Sequence, residues 1–196
     1  MMKRLHIAFC TAVLVMLGTM GQGQVMAQDL ESPTTDLVLF FSNIDQPPVE
    51  TPAPDTLIVT ERSGPVTVTT EISSGEVSGN IETDRSLPGA TLILTVKLLS
   101  LTEFTISGVI TFDDAQNSTI KFESVGNGFF EEAPSIINGI PFLRGAYMAR
   151  ITEATGQFAG MVGVVTDNLW LDVSRPGLNN AIGFEVVTIR MAPSGF

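Results

Sequence analysis

The chain has 196 residues, of which 10 are Lys or Arg and 21 are Asp or Glu, so its net charge at pH 7 is −11. This surplus of negative charge repels phosphate backbones and anionic lipid headgroups, so we expect no binding of nucleic acid or membrane surfaces. A surface that attracts cations such as Ca²⁺ is the alternative interpretation of the acidity. The length suits one domain with its own core.

The N-terminus is typical of a secretory signal. Lys3 and Arg4 precede the uncharged apolar run Ile7–Leu17, and Val25 and Ala27 stand at the −3 and −1 positions of a small-residue cleavage site. The apolar run is shorter than the roughly 20 residues that a membrane-spanning helix needs. We therefore predict a signal peptide over residues 1–27, cleavage after Ala27, no membrane insertion of the mature chain, and a secreted or periplasmic location.

Cleavage would remove both the single Cys (Cys10) and the single His (His6) of the chain. A mature chain without thiol or imidazole excludes disulfides, zinc sites of the Cys/His type, Ser-His-Asp triads and Cys nucleophiles. We accordingly expect no cofactor and no metal centre, and no motif identifies a catalytic residue.

Residues 28–56 are predicted to form an N-terminal extension before a barrel domain over residues 57–196. The extension contains the apolar segment Asp36–Phe41, "DLVLFF", which could be a strand or a docking element over a barrel mouth, a sheet edge or a neighbouring subunit. A homo-oligomer is therefore one option. Gln46–Asp55 holds four prolines, and because proline lacks the amide donor of a sheet ladder, we predict a linker or an edge-covering segment.

From Leu57 onward the sequence has the texture of β-strands. Apolar and polar residues alternate along Glu103–Ser124, with Ile106, Ile110 and Phe112 on one face, which predicts a β-hairpin with one wet face. No amphipathic helix is predicted. The pattern indicates an all-β antiparallel sandwich or closed barrel. The other predicted strand regions are Leu57–Ile72 with a turn at Gly64-Pro65, Ala90–Leu101, Gly145–Thr152, Gln157–Thr166 and Ala181–Met191.

The glycine-rich stretch Ile151–Gly163, "ITEATGQFAGMVG", lacks the G-x-G-x-x-G spacing of a dinucleotide loop and leads into a strand rather than a helix. We predict a turn between antiparallel strands, with Gly156 at positive φ and Phe158 folded over the core. Gln157 is predicted to lie on the surface, where substitution has little effect. The structural motif consists of Thr155, Gly156, Phe158, Gly160 and Gly163.

The same stretch resembles the "ITGGTGRFAGATG" segment of exported bacterial proteins with an allene-oxide-cyclase-like barrel. More distantly, it is similar to the corresponding strand-turn-strand of plant dirigent proteins and allene oxide cyclases. Glu153 and Ala154 replace the usual glycine pair, and Gln157 replaces the usual basic residue. The upstream segments Ser107–Asp114 and Ser118–Gly128 also resemble the hairpin before that motif, so the resemblance covers about residues 102–172.

This resemblance implies an eight-stranded antiparallel barrel with a central cavity. In the plant relatives such a cavity steers a reactive intermediate to one stereoisomer, which requires neither His nor Cys. The plant catalytic residues do not map onto this chain by motif.

Candidate binding residues are few. Tyr147 and Arg150 lie on opposite faces of a predicted strand, and Arg150 would be an anion or carbonyl anchor if its face pointed into the barrel and a surface residue otherwise. Asp113 and Asp114 lie in the hairpin turn, where ordinary turn chemistry is the first interpretation and a weak Ca²⁺ site the second.

Three functions remain open. The first is an exported, non-catalytic barrel that binds a small apolar ligand or a protein partner. The second is a cyclase-type or dirigent-type enzyme that controls stereochemistry by cavity shape. The third is a structural or surface-associated barrel. A purely structural barrel should be filled by side chains, whereas a binder or cyclase needs a cavity of roughly 300–1,000 Å³ or, if the interior is filled, a site at the rim.

Overall fold

The computed structural model describes residues 34–74, 77–81, 85–133, 142–174 and 180–195. In these ranges the chain forms thirteen β-strands and a single 3₁₀ turn, and every strand pairing is antiparallel. Helices long and apolar enough to cross a membrane are absent from the described ranges. The predicted signal peptide and its cleavage position after Ala27 lie outside them.

The strands are β1 Thr34–Ser42, β2 Glu50–Ala53, β3 Thr56–Ser63, β4 Val66–Ser74, β5 Val77–Ile81, β6 Arg85–Leu87, β7 Ala90–Leu98, β8 Glu103–Phe112, β9 Thr119–Ser124, β10 Gly128–Ala133, β11 Phe142–Ala154, β12 Met161–Asp172 and β13 Ile182–Pro193.

The sheet closes on itself as a barrel with eight wall positions. The order around the wall is β3, β7, β8, the shared position of β9 and β10, β11, β12, β13 and β1, and β1 returns to β3 through the pairs Phe41–Ser63 and Ser42–Arg62. β9 and β10 share one position because both lie between β8 and β11. The predicted all-β fold, an antiparallel barrel of about eight strands, is confirmed.

Gly64-Pro65 interrupts a strand and does not reverse the chain, which corrects the predicted turn. β1 runs antiparallel to β3, with which it pairs at Ser63, and antiparallel to β4, where Val38 lies opposite Thr67. β3 and β4 therefore run in the same direction. On the other side, β7 and β6 pair with β3 and β4 in the same continuous order. A proline at this point removes one ladder donor, so the long strand breaks locally and then resumes.

The apolar segment at the start of the described chain is part of the barrel wall. β1 pairs along its length with β13, and its side chains alternate, with Leu37, Leu39 and Phe41 buried in the core. Its outward residue Phe40 is 68% exposed. β2, which lies in the Pro-rich segment, forms a short pairing with β3. The segment assigned by sequence to an extension therefore supplies two strands, because alternating apolar residues can bury one face only by pairing.

The barrel interior is filled largely by apolar side chains. Five phenylalanines, Phe41, Phe104, Phe112, Phe122 and Phe158, are almost completely buried in one continuous core cluster. A Cβ on Gly108 would lie 2.4 Å from the Phe122 ring, so this glycine makes room for an aromatic ring inside the wall. The inward face predicted for β8 is the buried face.

A hydrogen-bond network anchors the turn between β11 and β12. Gly156 has φ of +62°, and the backbone N–H of Gln157 donates to Ser118 Oγ at 2.9 Å. Ser118 Oγ and Gln157 Nε2 both donate to Asp114 Oδ2, each at 2.6 Å. Gln157 is therefore half-buried and bonded, which differs from the surface position expected for it, because the turn folds back over the β8–β9 loop.

We predict that Gly156→Ala destabilises the protein by more than about 2 kcal/mol, because strain at positive φ adds to overlap of the new Cβ with Ser118 Oγ, which would lie 2.2 Å away. Gly160→Ala is the matched control, since Gly160 has φ of +79° but no atom within 4 Å of its Cβ position. It should cost about 1 kcal/mol. Urea unfolding measures both, and equal losses would contradict the overlap with Ser118.

We predict that Gln157→Ala lowers the free energy of unfolding by about 1 kcal/mol, because it removes a hydrogen bond to a charged carboxylate. Gln116→Ala, at an exposed position in the same loop, should change it by less than about 0.5 kcal/mol. Thermal unfolding of the two variants checks this, and a silent Gln157→Ala would show that the bond to Asp114 contributes nothing.

Candidate functional site

Four polar side chains meet inside the apolar barrel, and we call them the acid cluster: Glu61, Tyr147, Asp167 and Glu185. They are exposed by only 5%, 5%, 1% and 4%, respectively. They come from β3, β11, β12 and β13, so strands far apart in sequence build the cluster. Carboxyl groups are rarely buried so completely unless they are paired or used.

Strand register places these side chains together. Tyr147 lies directly opposite Asp167 across β11 and β12. Glu185 lies opposite Leu169, which shares the inward face of β12 with Asp167. Glu61 reaches toward β13 past Gly183, where a Cβ would lie 3.4 Å from Glu61 Oε1. The Glu61 carboxyl therefore lies beside the β13 backbone at Gly183.

The Glu185 carboxyl is the centre of the acid cluster, because it is within hydrogen-bonding reach of both Asp167 and Glu61. A contact between two carboxyls becomes a hydrogen bond only when one of them carries a proton. Among the described residues, five buried oxygens of the cluster have no ordinary donor or acceptor: Glu61 Oε2, Tyr147 OH, Asp167 Oδ1, Asp167 Oδ2 and Glu185 Oε1.

Burial raises the pKa of every member of the cluster. Burial is the main cause for Asp167, to which the nearby Glu61 charge adds, and together they raise its pKa to about 8. For Glu61 and Glu185 burial again raises the pKa well above the ordinary value, and each is raised further by a neighbouring carboxyl. Burial also raises the pKa of Tyr147. The carboxyls are therefore mainly protonated near neutral pH and can donate hydrogen bonds.

In the described part of the chain, no buried cation offsets the carboxyls. Of the buried polar side chains in the described ranges, none belongs to Lys, Arg or His. The described residues also contain no group of three or more His, Cys, Asp or Glu residues arranged to hold a metal ion. The arrangement is that of neutral donors in an apolar surrounding.

The residues singled out by sequence fall into two environments. Tyr147 belongs to the acid cluster, whereas Arg150 lies on the outer surface, 3.9 Å from Glu123 in an exposed ion pair. The Arg150 position matches the surface alternative. In the β8–β9 turn, Asp113 pairs with Arg62 at 2.6 Å, and the Asp114 oxygens accept bonds from Ser118 and Gln157.

Sequence reasoning missed Glu61, Asp167 and Glu185. A signal was present in two strands, because Asp167 interrupts the inward series Val165 to Leu169, and Glu185 interrupts a series that continues with Val187. A charged residue at an inward position of an alternating strand indicates a buried polar site.

A groove of about 370 Å³ lies at one end of the barrel, where β1 turns away from β13. We call it the mouth groove, and residues 43–49 and 180–182 line it. Asn43 bridges its inner end, because its Nδ2 donates to the carbonyl of Ala181 at 2.9 Å and its Oδ1 accepts from the Gly183 N–H at 2.7 Å. Gly183 is also the neighbour of Glu61, so the groove ends beside the acid cluster.

Fold and site together define a small antiparallel β-barrel with a buried cluster of protonated carboxyls beneath one mouth. No family model matches the chain, and no curated protein matches its sequence. Among solved structures, the pterocarpan synthase dirigent protein GePTS1 is similar, with 14% sequence identity and a TM-score of 0.39, over 83% of this chain and 93% of that chain.

We predict that stability falls as pH rises from about 4 to about 8, by up to about 1.4 kcal/mol per pH unit for each buried carboxyl. The raised pKa of Asp167 means that the folded state keeps a proton that the unfolded state loses in this range. Its contribution is therefore complete below the ordinary pKa and is lost as pH rises through about 8.

Asp167→Asn should reduce the slope of the unfolding free energy against pH by the contribution of about one carboxyl group. Glu132→Gln, at an exposed position on β10, should leave the slope unchanged. Urea unfolding between about pH 5 and pH 8 measures the slope away from the titration of exposed carboxyls. The same slope in Asp167→Asn as in the wild type would mean that Asp167 is ionised in the folded protein.

Proposed function

We propose that this protein binds a small, largely apolar molecule that carries a neutral hydrogen-bond-accepting oxygen. The ligand would enter at the mouth groove and place its oxygen against the acid cluster. The observation that carries the proposal is the burial of four polar side chains, three of them carboxyls, in the apolar interior near the groove, with no buried Lys, Arg or His among the described residues.

Burying polar groups in an apolar interior costs free energy. An unpartnered buried polar group costs roughly 1–3 kcal/mol, so a chain selected only for stability would replace such groups by apolar ones. Natural proteins accept such costs mainly at functional sites. The mouth groove has a volume within the range of small-molecule sites.

The chemistry of the cluster selects the ligand class. Protonated carboxyls donate to carbonyl, ether or hydroxyl oxygens, whereas an anionic ligand would meet carboxyls and no cation. The apolar residues of the groove, among them Ile44, Val49 and Ile182, favour a hydrocarbon or aromatic body.

We further propose that the protein acts outside the cytoplasm after cleavage following Ala27, which N-terminal sequencing of the purified protein tests.

A fluorescent pair of probes tests ligand binding. The neutral naphthalene ketone Prodan carries the required oxygen, and 2-dimethylaminonaphthalene has a similar body without it. We predict that the ketone binds about tenfold or more tightly than the comparator, because one hydrogen bond to an otherwise unpartnered donor contributes about 1–2 kcal/mol.

Tyr147→Phe and Glu61→Gln should narrow this preference, and Glu103→Gln, at an exposed position on β8, should not. Fluorescence titration at about pH 6, where the cluster carboxyls are protonated, gives the dissociation constants. Equal binding of the two probes, or a preference that survives both cluster variants, would refute the proposed site.

A second candidate function, stereocontrol of a reactive intermediate, is favoured by the pKa of Asp167. A group with a pKa of about 8 can deliver a proton near neutral pH and take it back, as a general acid does. A prochiral o-quinone methide generated in solution is a suitable probe, because its carbonyl oxygen would accept the proton while water adds to its exocyclic carbon. Enantiomeric excess that is lost in Asp167→Asn would support catalysis, and a racemic product would exclude it for this probe.

A further inference from the structure

The barrel wall is incomplete beside Glu61. β1 pairs with β3 only through Phe41–Ser63 and Ser42–Arg62, and the next pair along this edge of β3 is Glu50–Ile58, from β2. Between these pairs the described chain provides no ladder partner for β3 on this side. We call this stretch, residues 59–61 of β3 with the departing residues 43–49, the lower seam. Residues 43–49 of the seam also line the mouth groove.

A side-chain contact spans the lower seam where the backbone ladder does not. Glu61 on β3 and Glu185 on β13 stand on the two sides of the end of β1, and their carboxyls are within hydrogen-bonding reach. Glu185 lies opposite Phe41, the last buried residue of β1. The Glu61–Glu185 contact therefore ties β3 to β13 past the point at which β1 leaves the wall.

This contact holds only while a proton lies between the two carboxyls. Two ionised carboxylates at this separation repel each other strongly in an apolar surrounding. The other titratable groups that face the pair are Asp167 from β12 and Tyr147 from β11, and neither can supply positive charge. The neighbouring strands β1 and β7 contribute Leu39, Phe41 and Leu92 from the buried core.

We infer that the Glu61–Glu185 pair is a proton-dependent latch that holds the lower seam of the barrel wall closed. With the shared proton in place, the seam is closed. Loss of the proton replaces a hydrogen bond by repulsion, and β3 then separates from the end of β1 where backbone pairing is weakest. The latch concerns the barrel wall itself, so it does not depend on the proposed ligand.

Backbone hydrogen exchange of the full mature protein, without any ligand, tests the latch. Exchange is measured at about pH 5.5 and pH 8.5 and corrected for the intrinsic pH dependence. We expect protection at residues 42–49 and 59–62 to fall about tenfold or more at the higher pH, while the β12–β13 ladder changes by less than about twofold.

Glu61→Gln keeps a hydrogen-bonding side chain that cannot ionise, so the pH-dependent loss at the lower seam should shrink to about twofold or less. Glu185→Gln tests the same contact from the other side if the first variant fails to fold. Glu50→Gln, at an exposed position on β2 beside the seam, is the matched control and should behave as the wild type.

A wild-type loss that persists in both latch variants overturns the inference, as does a wild-type seam that keeps its protection at the higher pH. Loss of protection throughout the barrel, β12–β13 included, also overturns it, because ionisation would then unfold the protein as a whole. Since no ligand is present, failure of the probe-binding experiment would reject the proposed function while this outcome still reports on the latch.

Discussion

The burial of three carboxyl groups without a cation is the constraint on which this structure depends. Glu61, Asp167 and Glu185 occupy inward positions that strand geometry would otherwise fill with Leu or Val. Ionised carboxylates are too costly to bury unpaired, so the folded barrel keeps them protonated. The proposed ligand class and the proposed latch both follow from where those protons are held.

The barrel supplies the conditions that such a cluster needs. Closure of the wall puts side chains from β3, β11, β12 and β13 into one interior, and the phenylalanine-rich core around them excludes water. Glu61 lies beside Gly183 near the mouth. Gly163 on β12 faces the opposite end of β13. A Cβ at Gly163 would lie 2.0 Å from the Arg190 carbonyl oxygen, so the glycine allows the two strands to approach closely. One end is thus closely packed, and the other has a groove.

Sequence patterns were sufficient to predict the all-β class, the β8–β9 hairpin and a strand in Ala90–Leu101, which ends at Leu98 in the structure. They were not sufficient for the ends of the wall. "DLVLFF" has the alternation of a strand, but only its long-range pairing with β13 shows that it belongs to the barrel. Gly64-Pro65 has the composition of a reversing turn, yet pairing with β1 on both sides of it keeps the chain moving in one direction.

The candidate site was harder to predict because it depends on which face of each strand points inward. The sequence makes Tyr147 and Arg150 equally reasonable candidates. In the closed barrel, Tyr147 lies on the inner side of the wall and Arg150 on the outer side. The three acids are isolated in sequence, and no local motif links them. Only the register of neighbouring strands shows that their inward-facing side chains meet in one cluster.

Infrared spectroscopy of the carboxyl groups in heavy water at neutral pH tests the central claim most directly, because protonated and ionised carboxyls absorb in separate regions. If the buried carboxyls are protonated, the folded wild type shows a band from protonated carboxyls. We expect this band to decrease in Asp167→Asn and in Glu61→Gln and to disappear on unfolding. A folded protein at neutral pH with no protonated carboxyl band would contradict it.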